Sequence, residues 1–213
     1  MEDYNKTYRA ANDIFGKHPE KVLINFLKDD VKNGYALDIG AGQGRNSFYL
    51  AENEFIVDAI DTSEVAVDFI KKNNKFNNLN VFKADFKTFT SSKEYDVILV
   101  FGLIQILSYE ACTQLANNVL SLSKKGTYLF ISSFSEKDDT FAYFKNNFKE
   151  YKNNYFVNSE NKYRSFPSIN EIEHLFSGFK LVIQNEYTGP LHSHGNNILE
   201  KHEIIELVFK MNA

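Results

Sequence analysis

The chain of 213 residues is predicted to fold as an α/β protein on a doubly wound parallel sheet. Three observations predict it. From Leu37 to Phe134, short β-rich runs alternate with longer runs of helical period, as they do when strands are joined by helical crossovers. Strands joined this way wind in one hand and leave helices on both faces of the sheet. The run Asp96–Phe101 (Asp-Val-Ile-Leu-Val-Phe) is almost wholly apolar, as a central parallel strand covered on both sides must be.

The elements follow in order. Tyr35 to Ile39 reads as a buried strand ending at a glycine-rich turn, and Arg45 to Asn53 as the helix after it. Phe55 to Ile60 is a second strand, followed by a helix from Ser63 to Lys75. Leu79 to Lys83 and Asp96 to Phe101 are the third and fourth strands. Tyr109 to Ser123 reads as a helix, and Gly126 turns the chain into a fifth strand, Thr127 to Ser133. Ser168-Ile-Asn-Glu171 is a capping box, opening a helix that runs to Phe176 and stops at Gly178. Phe179 to Glu186 and Ile204 to Lys210 are two further strands, with a long loop from Tyr187 to Lys201 between them. One domain is expected over 1–213, with a helical cap in 1–33 and an aromatic-rich insertion in 135–166 that lacks a clean period.

Composition narrows the class. Hydrophobic residues make up 43% and charged residues 24%, as in an ordinary globular chain. The formal net charge is −4 and the lysines are scattered, so nucleic acid is not the expected partner, since each neutralised phosphate needs a Lys or Arg. The single cysteine, Cys112, excludes an internal disulfide and falls in a helical run, where it reads as a small core residue. No secretory signal or membrane-spanning run is legible, so the cytoplasm is the expected compartment.

The strongest motif is Ala36-Leu-Asp-Ile-Gly-Ala-Gly-Gln-Gly-Arg-Asn46. Gly40, Gly42 and Gly44 follow the first strand at alternate positions, letting the backbone turn sharply and a ligand approach closely. A dinucleotide fingerprint would need a third glycine where Arg45 stands. The carboxylate of Asp38, two residues before the first glycine, suits a cationic group better than a pyrophosphate. Asp61 closes the second strand, where an acid can accept both hydroxyls of a ribose; the bland alternative, capping the next helix, is open to Ser63 instead. Asp85 closes the third strand in Phe82-Lys-Ala-Asp-Phe86, where it can accept from an adenine amino group while Ala84 and Phe86 line the ring. Taken singly it is a turn residue, but ligands bind at the carboxyl ends of parallel strands, and three successive strands end in an acid.

These residues resemble the class I S-adenosylmethionine (SAM)-dependent methyltransferases. Gly42-Gln-Gly-Arg-Asn-Ser-Phe-Tyr-Leu50, Phe15-Gly-Lys-His-Pro-Glu-Lys-Val-Leu23 and Gly189-Pro-Leu-His192 are similar to the tellurite-resistance type and its small-molecule relatives. The resemblance covers most of the chain and is weakest from Ser135 to Arg164. It implies a Rossmann-like seven-stranded sheet, mostly parallel with the last strand antiparallel. It also implies SAM as cofactor, held by Asp38, Gly40, Ala41, Gly42, Gly44, Asn46, Asp61, Thr62, Ala84, Asp85, Phe86 and Phe101, and a monomer or homodimer acting on a small-molecule acceptor. The type carries an arginine after the late Leu-His, whereas Ser193 stands here. The Asn-Pro-Pro-Tyr motif of amino-group DNA methyltransferases is absent, with Phe101-Gly-Leu-Ile-Gln-Ile-Leu107 in its place.

Methyl transfer from a sulfonium needs alignment and exclusion of water; a hydroxyl or amine acceptor also needs a base. His192 is the candidate catalytic residue, as base or orienting donor; the alternative is a solvated loop histidine. His192-x-His194 has no carboxylate or cysteine to complete a ligand set, so no metal is expected. The aromatic run from Phe141 to Phe156 reads either as a lid over an apolar acceptor or as packing for an irregular insertion. Tyr4 and Tyr8 are placed to cover the cofactor. Two alternatives stay open: an NAD-binding oxidoreductase, which the missing third glycine disfavours, and a SAM-binding protein without catalysis.

Overall fold

The computed structural model describes residues 4–10, 14–27, 33–191 and 201–212. Two short helices, α1 (Tyr4–Ala10) and α2 (Lys21–Leu27), precede the sheet. Then follow β1 (Gly34–Ile39), α3 (Arg45–Glu52), β2 (Phe55–Asp61), α4 (Glu64–Asn73), β3 (Leu79–Lys83) and β4 (Tyr95–Phe101). After β4 comes a 3₁₀ turn at Ile104–Ile106, then α5 (Tyr109–Ser121), β5 (Ser123–Phe134), α6 (Phe141–Asn147), β6 (Lys149–Lys152), β7 (Tyr155–Val157) and β8 (Tyr163–Ser165). The described chain closes with α7 (Ile169–Leu175), β9 (Phe179–Thr188) and β10 (Glu203–Met211).

The main sheet has seven strands in the order β3-β2-β1-β4-β5-β10-β9. The first five run parallel. β10 is antiparallel to both its neighbours, so the last strand alone runs against the rest. The order reverses at β1, between β2 and β4, and such a switch point opens a crevice at the strands' carboxyl ends.

Alternation along β4 shows how the sheet is covered. Val97 and Leu99 pack with Leu23 and Phe26 of α2, Leu50 of α3 and Ile70 of α4. Ile98 and Val100 pack with Cys112, Leu115 and Val119 of α5 and Ile172 of α7. Successive side chains of a strand face opposite sides, so an unbroken apolar run is what a two-sided core requires. Cys112 is wholly buried there, and burial pushes its thiol up to about 12, which leaves it a packing residue.

Helix starts follow local chemistry. Ser63, Ser108 and Ser168 each accept from the amide three residues on, at Ala66, Ala111 and Glu171. Ser63 therefore caps α4, and Asp61 is left for another task. β5 begins earlier than the sequence suggests: Ser123 already pairs with Tyr95, and the register slips before Val97 meets Tyr128, so Gly126 lies within a bulged strand.

The segment 135–166 is ordered into α6 and an antiparallel three-stranded sheet, β6-β7-β8. It docks where β4 ends: Ser165 Oγ donates to the Ile104 carbonyl at 3.0 Å, and Tyr151 Oη accepts from the Tyr109 amide at 2.9 Å. Its aromatic residues divide, with Tyr155 and Phe156 buried, Phe141, Phe144 and Phe148 half-buried and Tyr143 exposed. No helix among the described residues is long and apolar enough to cross a membrane.

Candidate functional site

The glycine loop leaves β1 and is drawn across to β2. The amides of Gly40 and Ala41 both donate to the Ile60 carbonyl, at 2.9 and 3.0 Å. Gly40, Gly42 and Gly44 all have positive φ, of 75°, 55° and 84°. At Gly44, which leads into α3, a Cβ would also lie 2.8 Å from Ile70 Cγ1 of α4, so this glycine lets two helices approach. At Gly42 a Cβ would stand 3.0 Å from the Tyr8 hydroxyl.

Two acids stand at this loop, and a third follows the adjacent strand. Asp38, 2% exposed at the end of β1, accepts from Ser47 Oγ of α3 at 2.6 Å. Burial raises its pKa to about 6, against the lowering effects of Ser47 and Arg45. Asp61 ends β2 and accepts from the Gly42 amide at 2.9 Å and the Ser63 amide at 2.8 Å. Burial raises its pKa too, partly offset by these amides and that of Thr62. The Asp61 carbonyl accepts from the Ala84 amide at 3.0 Å, which brings the end of β3 alongside. Asp85 follows, accepting from the Lys87 amide at 2.9 Å as a turn residue does. Phe86 is buried on the α5 side of the sheet, with Ala84 packed against that cluster.

The other site candidates sit around this centre. Thr62 is exposed beside Asp61. Asn46 is buried, and its Oδ1 accepts from the Glu20 amide at 2.9 Å, tying the entry of α2 to α3. Phe101 ends β4, half-buried, with its ring 6.3 Å from that of Phe130. Leu103, just after β4, would be the first contact of a Cβ on Gly40, at 3.6 Å, so the ends of β1 and β4 adjoin. Tyr8 lies over the loop from α1, which Asn5 docks on the start of α4 through Ser63 Oγ at 2.8 Å. Burial, and then the nearby Asp61 carboxylate, raise the Tyr8 pKa. His192 and His194 lie outside the described residues.

Two buried polar arrangements were not singled out in the sequence. Ser47 orients Asp38, and a serine in the first turn of the helix after the loop was the available signal. His202 is buried before β10, with Nδ1 2.9 Å from Asp138 Oδ2 and its ring stacked on Phe134 at 4.2 Å. The pair is 64 residues apart, so no local pattern marks it. Burial raises the Asp138 pKa, but the bonds from His202 and Thr140 outweigh it and the net shift is downward.

The comparisons with known proteins agree with this architecture. The chain is 29% identical over 124 residues to the probable S-adenosyl-L-methionine-dependent methyltransferase TehB of Haemophilus influenzae strain 10810, covering 54% of this chain and 43% of that protein. The match thus spans less than half the length of the relative. The crystal structure of TehB from Haemophilus influenzae superposes with a TM-score of 0.70 at 20% identity, covering 91% of this chain and 63% of that one. A 1,6-didemethyltoxoflavin-N1-methyltransferase from Burkholderia thailandensis, solved with 1,6-didemethyltoxoflavin and S-adenosylhomocysteine, also gives 0.70 at 14% identity, covering 99% of this chain and 86% of that one. The family described as tellurite resistance protein TehB matches residues 8–202. With that match spanning the glycine loop, all three acids and the aromatic segment, the chain belongs to the TehB family.

Proposed function

We propose that this chain transfers a methyl group from SAM to a small-molecule acceptor. The observation that carries the reading is that Asp38 and Asp61 flank a loop of three left-handed glycines at the sheet's switch point, with Asp85 just beyond the end of the adjacent strand. The donor set fits the cofactor: carboxylates answer an α-ammonium, a ribose diol and an adenine amino group, and phosphate-binding cations are not part of the set. When bound, SAM supplies a methyl group on a positively charged sulfur, already activated for displacement.

In this reading Asp38, fixed by Ser47, holds the ammonium. Asp61 accepts from the ribose with the lone pairs that the Gly42 and Ser63 amides leave. Asp85, Ala84 and Phe86 border the adenine, and Gly40, Ala41, Gly42 and Gly44 supply the backbone surface. Thr62, Asn46 and Phe101 complete the wall. Tyr8 covers the loop and keeps water out. His192 serves the acceptor as base or orienting donor. The one-domain organisation, with 1–33 as a cap and 135–166 as an insertion, belongs to the same reading.

Calorimetric titration with SAM, S-adenosylhomocysteine and NAD tests the proposal. Binding of the first two without NAD is expected; preference for NAD would overturn it, and SAM binding with no turnover across an acceptor screen would leave a non-catalytic binder. For the histidine, His192→Ala should lower turnover by about 10²–10⁴-fold if it is a general base, with SAM affinity nearly unchanged. Equal turnover by the variant from pH 6 to 9, about three units around a histidine's usual titration, would remove it from the site.

A further inference from the structure

The carboxyl end of β5 holds a cation that nothing in the proposed chemistry uses. The side chain of Arg164, in β8, makes no hydrogen bond and no ion pair among the described residues, and its Nε is buried without a partner. Its guanidinium lies 5.2 Å from the ring centre of Phe144 and 5.9 Å from that of Phe134. A guanidinium is a rigid fork of donors shaped for a carboxylate, and leaving one of its N–H groups dry and unmet is costly. Two carboxylates near the end of β5 are already engaged. Asp138 accepts from His202, Thr140 and the Glu203 amide, and Glu186 accepts from Ser135 and Lys137.

The position is the carboxyl edge of the main sheet, the edge that carries the glycine loop. The next residue, Ser165, bonds to the Ile104 carbonyl, directly after Leu103, the residue that adjoins Gly40 of the loop. Phe134 ends β5. An orphaned polar atom in a native interior calls for an absent partner, and the Arg164 Nε is one. Phe166 closes the back of the cluster, with ring centres 5.9 Å from Phe144 and 6.5 Å from Phe134, so the cation meets an apolar wall.

The structure assigns Arg164, flanked by Phe134 and Phe144, as the anchor for the carboxylate of an organic acid whose hydroxyl or amino group is the methyl acceptor in the proposed reaction. The aromatic rings select an acid with a flat apolar body over a bare inorganic anion. This assignment rests on the methyltransferase reading for its purpose, but its physical content is a binding preference that is measured without turnover.

The test is calorimetric titration of the full chain, with and without saturating S-adenosylhomocysteine. The probes are 4-hydroxybenzoate and anthranilate, the corresponding amides, and inorganic phosphate. The acids should bind at least about tenfold more tightly than the amides, the loss expected when a charge-assisted pair is replaced. Arg164→Gln should lower acid affinity by a similar factor and leave both amide and S-adenosylhomocysteine affinities within about twofold. Phe144→Ala, which keeps the cation, should weaken acid and amide alike, and it judges the site if Arg164→Gln does not fold. Equal binding of acid and amide, binding of neither acid, or an unaffected Arg164→Gln would each overturn the assignment. Phosphate binding as tightly as the acids would show a bare-anion site and overturn it as well. Failure of S-adenosylhomocysteine to bind would count against the methyltransferase reading alone, because the acid and amide comparison stands without it.

Discussion

Asp38 ties the pH behaviour of the free protein to its cofactor. Its folded pKa of about 6 lies above the ordinary carboxylate value because burial disfavours the ion. A carboxyl with a raised folded pKa contributes stability that is fully present below the unfolded value near 4 and is lost as pH rises through about 6. The ligand-free protein should therefore gain thermal midpoint from this group between pH 7.5 and pH 5, and Asp38→Asn should remove that gain. An ammonium placed on Asp38 would favour the ionised form, so SAM affinity should fall by up to about tenfold per pH unit below pH 6. Titrations in buffers of different ionisation enthalpy would show the matching proton release; SAM binding with no proton release near pH 6 would refute the ammonium assignment. Asp61 makes a second test. Asp61→Ala removes a charged acceptor for the ribose and should cost about 1.5–3 kcal/mol of SAM binding. Affinity within twofold of wild type would sink the ribose role. The three acids and their glycines were legible because each sits at a strand end beside its own turn. The docking of Asn46 on Glu20, the Asp138–His202 pair and the bare Arg164 were not, because each depends on a partner or a void that only the folded chain defines.

At the scale of elements, the turn from β1 into α3 separates two demands on a glycine. Gly44 has φ 84° and would place a Cβ 2.8 Å from Ile70, whereas Gly126 has φ 90° with nothing within 4 Å. Alanine at Gly126 should cost only the left-handed backbone term, about 1–2 kcal/mol. At Gly44 it should cost that and a further 1–3 kcal/mol, roughly the range for overpacking. Denaturant unfolding of both variants measures the difference, and equal losses would mean that α3 and α4 are not packed through this glycine. Runs with one face buried, or with both, kept their period in the sequence, so β1 to β4 and α3 to α5 were legible. The small sheet was not. Its strands span only three or four residues, and within β7 the adjacent Tyr155 and Phe156 are both buried, which erases the alternation that marks a strand.

For the molecule as a whole, β10 is the decisive strand. It lies between β5 and β9, and Leu207, paired with Ile131 and Gln184, is wholly buried in the cluster formed with α5 and α7. Leu207→Ala should cost about 2–5 kcal/mol. Because β10 belongs to both flanks, its loss should lower a single unfolding transition and not split it; far-ultraviolet dichroism and tyrosine absorbance should report the same midpoint. Separate midpoints would show that the β9 flank unfolds on its own. The same placement bears on how the chain is made. β5 is synthesised well before β10, so until residue 211 has emerged one side of β5 exposes unpaired amides and carbonyls next to Leu129 and Ile131. Such an edge recruits strands from other chains, and pairings this distant in sequence form slowly. The vulnerable period of this protein's life is therefore its birth, when aggregation competes with the arrival of one late strand.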